Sequence, residues 1–232
     1  MLKRILNFLL PHACLNCKQA VFDYGICGDC FKNLTPITQP YCTCCGLPLI
    51  NRTKGMKCAP CLKQTLPMIL RSAVEYNDNS KKTILYLKHA DGHEVVPFMG
   101  NAMLRSIADF KENIDCIIPV PLHKKRLLKR RYNQSADLSR YISKALNVKM
   151  YINVLLRIKN TESQGAKSFK KRYANIHRAF STKNTEHIKD KTILLIDDVY
   201  TSGATITHCA NTLKKAGAKK IIAVTFARVV KK

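Results

Sequence analysis

Ile193-Leu-Leu-Ile196 runs into Asp197-Asp198, then Val199-Tyr200, then Thr201-Ser202-Gly203-Ala204-Thr205. The apolar run reads as a buried strand, and the small residues after it as a turn entering a helix. In an α/β sheet this order brings two carboxylates to the carboxyl edge of the strands, where such sheets bind ligands. A carboxylate accepts a pair of ribose hydroxyls. Five small, hydroxyl-rich residues at a helix start can wrap a phosphate with backbone N–H groups and side-chain hydroxyls. Gly203 allows the close approach or unusual dihedral that such a loop needs. A simple N-cap needs one such residue, not two acids and five small residues.

A second chemistry lies at the other end. Four C-x-x-C pairs occur: Cys14/Cys17, Cys27/Cys30, Cys42/Cys45 and Cys58/Cys61. Thiolates three residues apart can share one metal, and four of them close a tetrahedral structural zinc site. Sequential pairing gives one site from Cys14, Cys17, Cys27 and Cys30 and another from Cys42, Cys45, Cys58 and Cys61. Interleaved pairing is also compatible with the spacing. A disulfide framework would need an oxidising compartment. The start of the chain has an apolar run interrupted by Asn7 and stopped by Pro11, with no small-x-small cleavage site after it, so it reads as a short amphipathic helix rather than an export signal. Cys44 is left as a spare.

These residues need elements to place them. The cysteine pattern ends near Pro67, which predicts a double zinc ribbon over residues 1–66 and an α/β domain over 67–232. In the second part, Leu70–Tyr76 reads as a strand, 79–90 and 93–109 as helices, and Asp115–Leu122 as a buried parallel strand. Leu138, Ile142, Ala145 and Leu146 share a helix face. Residues 148–156 read as another strand. The segment from Lys191 to Arg228 reads as strand, turn, helix, a C-cap at Gly217 and a final strand. Alternating strands and helices predict a parallel sheet flanked by helices.

The 232 residues hold 40 Lys and Arg against 15 Asp and Glu, a net charge of +25. Hydrophobic residues make up 46%, which excludes a wholly disordered basic tail. No apolar run reaches the ~20 residues of a membrane span. Between Val120 and Phe180 there are 16 Lys and Arg against two acids, with Tyr132, Tyr141, Tyr151, Phe169 and Tyr173 interleaved. A pyrophosphate needs a few cations, such as Lys124, Arg126 and Arg130. The surplus fits a groove that follows a nucleic-acid backbone, with aromatics available for stacking or for the core.

ILLIDDVYTSGAT resembles the phosphoribosyl-pyrophosphate motif of type I phosphoribosyltransferases. The resemblance implies that Asp197 and Asp198 act on the ribose at the catalytic centre and that Thr201, Ser202, Gly203, Ala204 and Thr205 hold the 5′-phosphate. It also implies Mg²⁺ carried on the pyrophosphate. With the ribbons in front, the whole chain resembles the ComF family. PVPLHKKRLLKRRYNQS is similar to that family's pyrophosphate loop, which implies contacts from His123, Lys124 and Arg126. Arg131 stands where the family has glycine, before Asn133-Gln134. RIKNTESQ, with Arg172 and Ala179-Phe180, resembles the family's flexible loop.

The family resemblance implies a cytoplasmic competence protein for natural transformation that handles imported single-stranded DNA. Its partners would be a ComFA-type helicase and DNA-processing proteins, with peripheral proximity to the membrane. The residues expected on DNA are Lys124, Lys125, Arg126, Lys129, Arg130, Arg131, Lys159, Lys170, Lys171 and Arg172. The alternatives are a metabolic phosphoribosyltransferase of unknown acceptor and a non-catalytic sensor of phosphoribosyl pyrophosphate. The sequence leaves transferase activity open.

Overall fold

The computed structural model describes residues 12–21, 25–49, 55–88, 92–159 and 179–230. The expected N-terminal helix, Lys170, Lys171 and Arg172 lie outside them. In chain order the strands are β1 (His12–Ala13), β2 (Ala20–Val21), β3 (Ile69–Glu75), β4 (Cys116–Pro119), β5 (Leu155–Arg157), β6 (Phe180–Thr182), β7 (Thr192–Tyr200) and β8 (Lys220–Arg228). The α-helices are α1 (Gly28–Lys32), α2 (Ala59–Lys63), α3 (Asp78–Leu87), α4 (Val96–Ser106), α5 (Lys124–Arg130), α6 (Gln134–Leu146) and α7 (Ala204–Lys215).

Four strands form the central sheet in the order β3-β8-β7-β4, all parallel. Alternation along β7 explains the layers. Leu194 and Ile196 join a core that includes Ile84 of α3, Met99 and Met103 of α4, and Leu138 and Ile142 of α6. Ile193 and Leu195 face the opposite core, with Ile206, Cys209 and Leu213 of α7. Apolar side chains on both faces are what a doubly covered parallel sheet requires. The expected parallel α/β domain is therefore present.

Three expectations change in detail. The 93–109 segment is divided: a 3-10 turn at Gly92–Val95, then α4, then a second 3-10 segment at Ala108–Asn113. Residues 148–156 are not one strand. Met150 makes a single parallel bridge to Ile117, and β5 begins only at Leu155, pairing antiparallel with β6. The interleaved tyrosines are structural where they are described. Tyr132 donates its hydroxyl to the Leu87 carbonyl at 2.6 Å, Tyr141 packs on Gly100, and Tyr151 stacks on His187.

The cysteine-rich segment is tied to the sheet rather than tethered to it. Leu15 and Leu34 enter the first core. The backbone at Thr35–Ile37 runs along β3: Glu75 N–H donates to Thr35 O at 2.8 Å, and Ile37 N–H to Ala73 O at 2.9 Å. Leu70 N–H donates to Cys44 O at 2.8 Å. Buried Arg228 donates to the Cys45 carbonyl. Among the described residues no helix is long and apolar enough to cross a membrane.

Candidate functional site

The eight paired cysteines form two clusters, Cys14/Cys17/Cys27/Cys30 and Cys42/Cys45/Cys58/Cys61, in each of which the sulfurs lie within 4.8 Å of one another. This is the sequential pairing, not the interleaved one. Tetrahedral zinc with bonds of about 2.3 Å places sulfurs about 3.8 Å apart. Cys17 and Cys27 are 3.6 Å apart, and Cys45 and Cys58 3.5 Å. The all-sulfur donor set and these distances fit two structural zinc ions.

The two ribbons repeat one construction. In each, the first pair is a tight turn: Lys18 N–H returns to Cys14 O and Gly46 N–H to Cys42 O, both at 2.8 Å. Lys18 and Gly46 both hold φ of 66°. A Cβ on Gly46 would come within 2.7 Å of Leu70 O, so the second ribbon needs glycine where the first tolerates lysine. The second pair begins a short helix, with Cys27 and Cys58 at the N-caps of α1 and α2. Backbone N–H groups aim at the sulfurs, from Cys27 to Cys14 at 3.2 Å and from Cys58 to Cys42 at 3.3 Å. Burial alone would push these thiols up; the N–H donors outweigh it and bring Cys14 and Cys42 down to about 6. Thiolates are the form that binds zinc.

The second site lies at the carboxyl edge of β7. Asp197 and Asp198 are successive strand residues, so their side chains leave on opposite faces. Asp197 Oδ1 accepts from Ser135 Oγ at 2.9 Å and from Asp198 N–H at 3.0 Å. Asp198 Oδ2 sits 2.8 Å from Lys88 Nζ. Burial, then the charge of Asp198, raises the Asp197 carboxyl to about 7. Beyond the strand, Thr201–Gly203 form the loop and Ala204 opens α7. Gly203 has φ of 76°, and a Cβ there would overlap the Tyr200 phenol.

The carboxylates and the loop share a cleft of about 220 Å³ with Lys88, Arg126, Arg130, Gln134 and Arg157. Arg126 and Arg130 are four apart on α5, so one face of that helix serves the cleft. Burial and then Arg130 lower the basicity of Arg126, and burial and then Arg126 lower that of Arg157. Three guanidinium groups crowd a cleft opposite a helix N-terminus, an arrangement that an anion would relieve. Asn133 caps α6 and Gln134 is buried beside the cleft, its Oε1 accepting from no described group.

Several expected residues are placed elsewhere. His123 caps α5, accepting from Lys125 N–H at 3.3 Å, and neither it nor Lys124 lines the cleft. Lys124, Lys125, Lys129 and Arg131 are exposed on the outside of α5, and Lys159 is exposed beyond β5. Lys88 and Ser135 were not singled out from the sequence. Nothing local marks Lys88, one lysine among many, which meets Asp198 only through folding.

Asp197 has a cost that can be measured. Its folded pKa of about 7 exceeds the ordinary 3.8, so the folded state binds the extra proton between those values. Stability therefore falls as pH rises through that window, and the loss is complete above about 7. Asp197→Asn keeps an oxygen for Ser135 and removes the charge. It should raise the melting midpoint by at least about 2 °C at pH 8, with a smaller gain at pH 5.5, read by thermal unfolding of zinc-loaded protein.

Arg131 ends α5 with φ of 66° and donates its N–H to Leu127 O at 2.7 Å. That left-handed C-cap favours glycine. Arg131→Gly should stabilise the chain by about 0.5–1 kcal/mol in denaturant unfolding.

A family model described as a double zinc ribbon domain matches residues 5–62. A phosphoribosyl transferase domain model matches residues 137–232. Competence protein F of Haemophilus influenzae is 28% identical over 218 residues, covering 90% of this chain and 93% of the relative. DNA utilization protein YhgH of Escherichia coli K12 is 26% identical, covering 91% and 95%. Competence protein ComFC of Bacillus subtilis is 27% identical, covering 84% and 80%. The chain thus joins a double zinc ribbon to a phosphoribosyltransferase-like domain, and along most of its length it is similar to these competence and DNA utilization proteins.

Proposed function

We propose that this chain is a cytoplasmic competence protein that handles incoming single-stranded DNA and binds phosphoribosyl pyrophosphate in the cleft beside β7. The observation that carries the reading is the meeting, in one cleft, of Asp197, Asp198 and the Thr201–Thr205 turn with Arg126, Arg130 and Arg157. In this reading the acids accept the ribose hydroxyls, and the turn and the start of α7 hold the 5′-phosphate. The arginines face the pyrophosphate, stabilising it as a leaving group if transfer occurs. Mg²⁺ would arrive on the pyrophosphate and neutralise part of its charge. Lys88, 2.8 Å from Asp198 Oδ2, holds that carboxylate in place.

The DNA role draws on the names of the relatives, competence protein and DNA utilization protein, and on the outer face of α5. One face of that helix looks into the cleft, while Lys124, Lys125, Lys129 and Arg131 look outward, so a strand can follow the ridge beside the bound ester. A helicase and DNA-processing proteins are the partners this role calls for.

The test is a fluorescence-anisotropy titration of a labelled single-stranded oligonucleotide over a range of salt, with and without phosphoribosyl pyrophosphate and Mg²⁺. Affinity should fall steeply with salt. Replacing Lys124, Lys125 and Lys129 with Gln should reduce the slope of log K against log salt by about 2, from roughly 0.7 per phosphate contact. An unchanged slope would remove α5 from the DNA site. Release of pyrophosphate with a defined base would favour a metabolic transferase instead.

A further inference from the structure

The ribbon segment and the sheet do not close completely on one another. Between them lies a cavity of about 420 Å³, separate from the cleft at β7. Phe31, Leu34 and Tyr41 form one side, and Phe98 and Ala102 of α4 with Phe226 of β8 form the other. Phe98 is the centre of an edge-to-face series, its ring 6.3 Å from Phe31 and 6.0 Å from Phe226. Walls made of ring surfaces suit a planar, apolar body.

The same cavity contains a buried cation. Arg71 of β3 is 6% exposed and lines it. Its Nη1 and Nη2 each donate to Thr43 O at 3.2 Å, and Nη1 also donates to Leu70 O at 2.8 Å. Its guanidinium lies 4.7 Å from the centre of the Tyr41 ring. Its Nε–H is buried and has no acceptor among the described residues, and no described carboxylate forms an ion pair with Arg71. Burying a charge without a counter-charge is unfavourable unless a ligand supplies one. Arg105 adds a second cation to the lining and Asp109 one anion, so the cavity carries a net positive charge.

We propose that this cavity is a binding site for a small aromatic monoanion. The ring system lies between Phe31, Phe98 and Tyr41, and the acid group meets Arg71. Because the walls come from both the ribbon segment and the sheet, occupancy would stiffen their junction. The site stands independently of the reading of the β7 cleft.

The test uses full-length, zinc-loaded protein and two dyes: 1-anilinonaphthalene-8-sulfonate, and uncharged N-phenyl-1-naphthylamine, which has the same rings. The sulfonate should bind saturably at one per chain and at least about tenfold more tightly than the uncharged dye, the size of one charge-assisted contact. Ala102→Phe, which fills the cavity, should weaken it by about tenfold or more. Thr38→Trp, at the exposed rim, should do the same without entering the core, and serves if Ala102→Phe loses zinc or native circular dichroism. Excess inorganic pyrophosphate should leave binding unchanged. Equal affinity for the two dyes, insensitivity to Thr38→Trp, or displacement by pyrophosphate would each overturn the assignment.

Discussion

Breaking the second zinc cluster should do more damage than breaking the first. Cys58→Ala should leave about one zinc per chain by metal analysis and lower the melting midpoint by at least about 10 °C. Cys17→Ala should also leave one zinc but cost less. Structural zinc in isolated ribbons binds with about 10–16 kcal/mol, and much of that is folding free energy. The difference lies in what each cluster supports. The second orients the Cys44 and Cys45 carbonyls that receive Leu70 N–H and the Arg228 guanidinium. Arg228 is buried at the end of β8, and its Nε has no hydrogen-bond partner among described groups. Loss of the Cys45 carbonyl would leave that charge still less satisfied, at the carboxyl end of an inner strand of the parallel sheet. The first cluster reaches the domain through Leu15, Leu34 and the Asn16 contacts to Asn79 and Thr83, and Cys17 itself is exposed. Full-length protein carrying disulfides and no zinc would contradict this account.

Gly203→Ala should abolish tight binding of phosphoribosyl pyrophosphate while leaving both zinc ions in place. Two effects act on one residue. The backbone is left-handed at φ of 76°, which costs an alanine roughly 1–2 kcal/mol. The new methyl would also overlap the half-buried Tyr200 ring, over which the Arg228 guanidinium lies at 5.3 Å, so the ring or the loop has to shift. With the backbone strain added, the loop is expected to move, and with it the N–H groups at the start of α7. Loss of even two such donors to a phosphate at about 1.5 kcal/mol each weakens binding by more than a hundredfold. Calorimetry on the variant should show no saturable heat at ligand concentrations that saturate the parent. Parent-like affinity would mean that the phosphate is held elsewhere.

The parts of the molecule legible in sequence are those in which local pattern and tertiary role coincide. Ile193–Ile196, the two acids, the small-residue turn and Gly217 specify β7, the loop and α7 without help from distant residues. The C-x-x-C pairs specify their clusters because metal geometry allows few arrangements. Legibility fails where a role is assigned by distance. Lys88 is 110 positions from Asp198, and no local feature separates it from other lysines. Helix α5 consists of KKRLLKR, with Leu128 80% exposed, so it offers no apolar face to predict a helix. The 148–156 segment has strand-forming residues, but the sheet accepts only Met150 at its edge and the chain then turns away to pair β5 with β6. The cavity around Arg71 arises from stretches far apart in the chain and has no signature in any of them.

The central claim is that the β7 cleft binds phosphoribosyl pyrophosphate through Asp197, Asp198 and the Thr201–Thr205 turn. Isothermal titration of the zinc-loaded full chain with phosphoribosyl pyrophosphate and Mg²⁺, beside the Asp197→Asn/Asp198→Asn variant, tests it most directly. The account predicts one saturable site per chain in the parent and none in a variant that remains folded and zinc-loaded. No binding by the parent, or equal binding by both proteins, would contradict it.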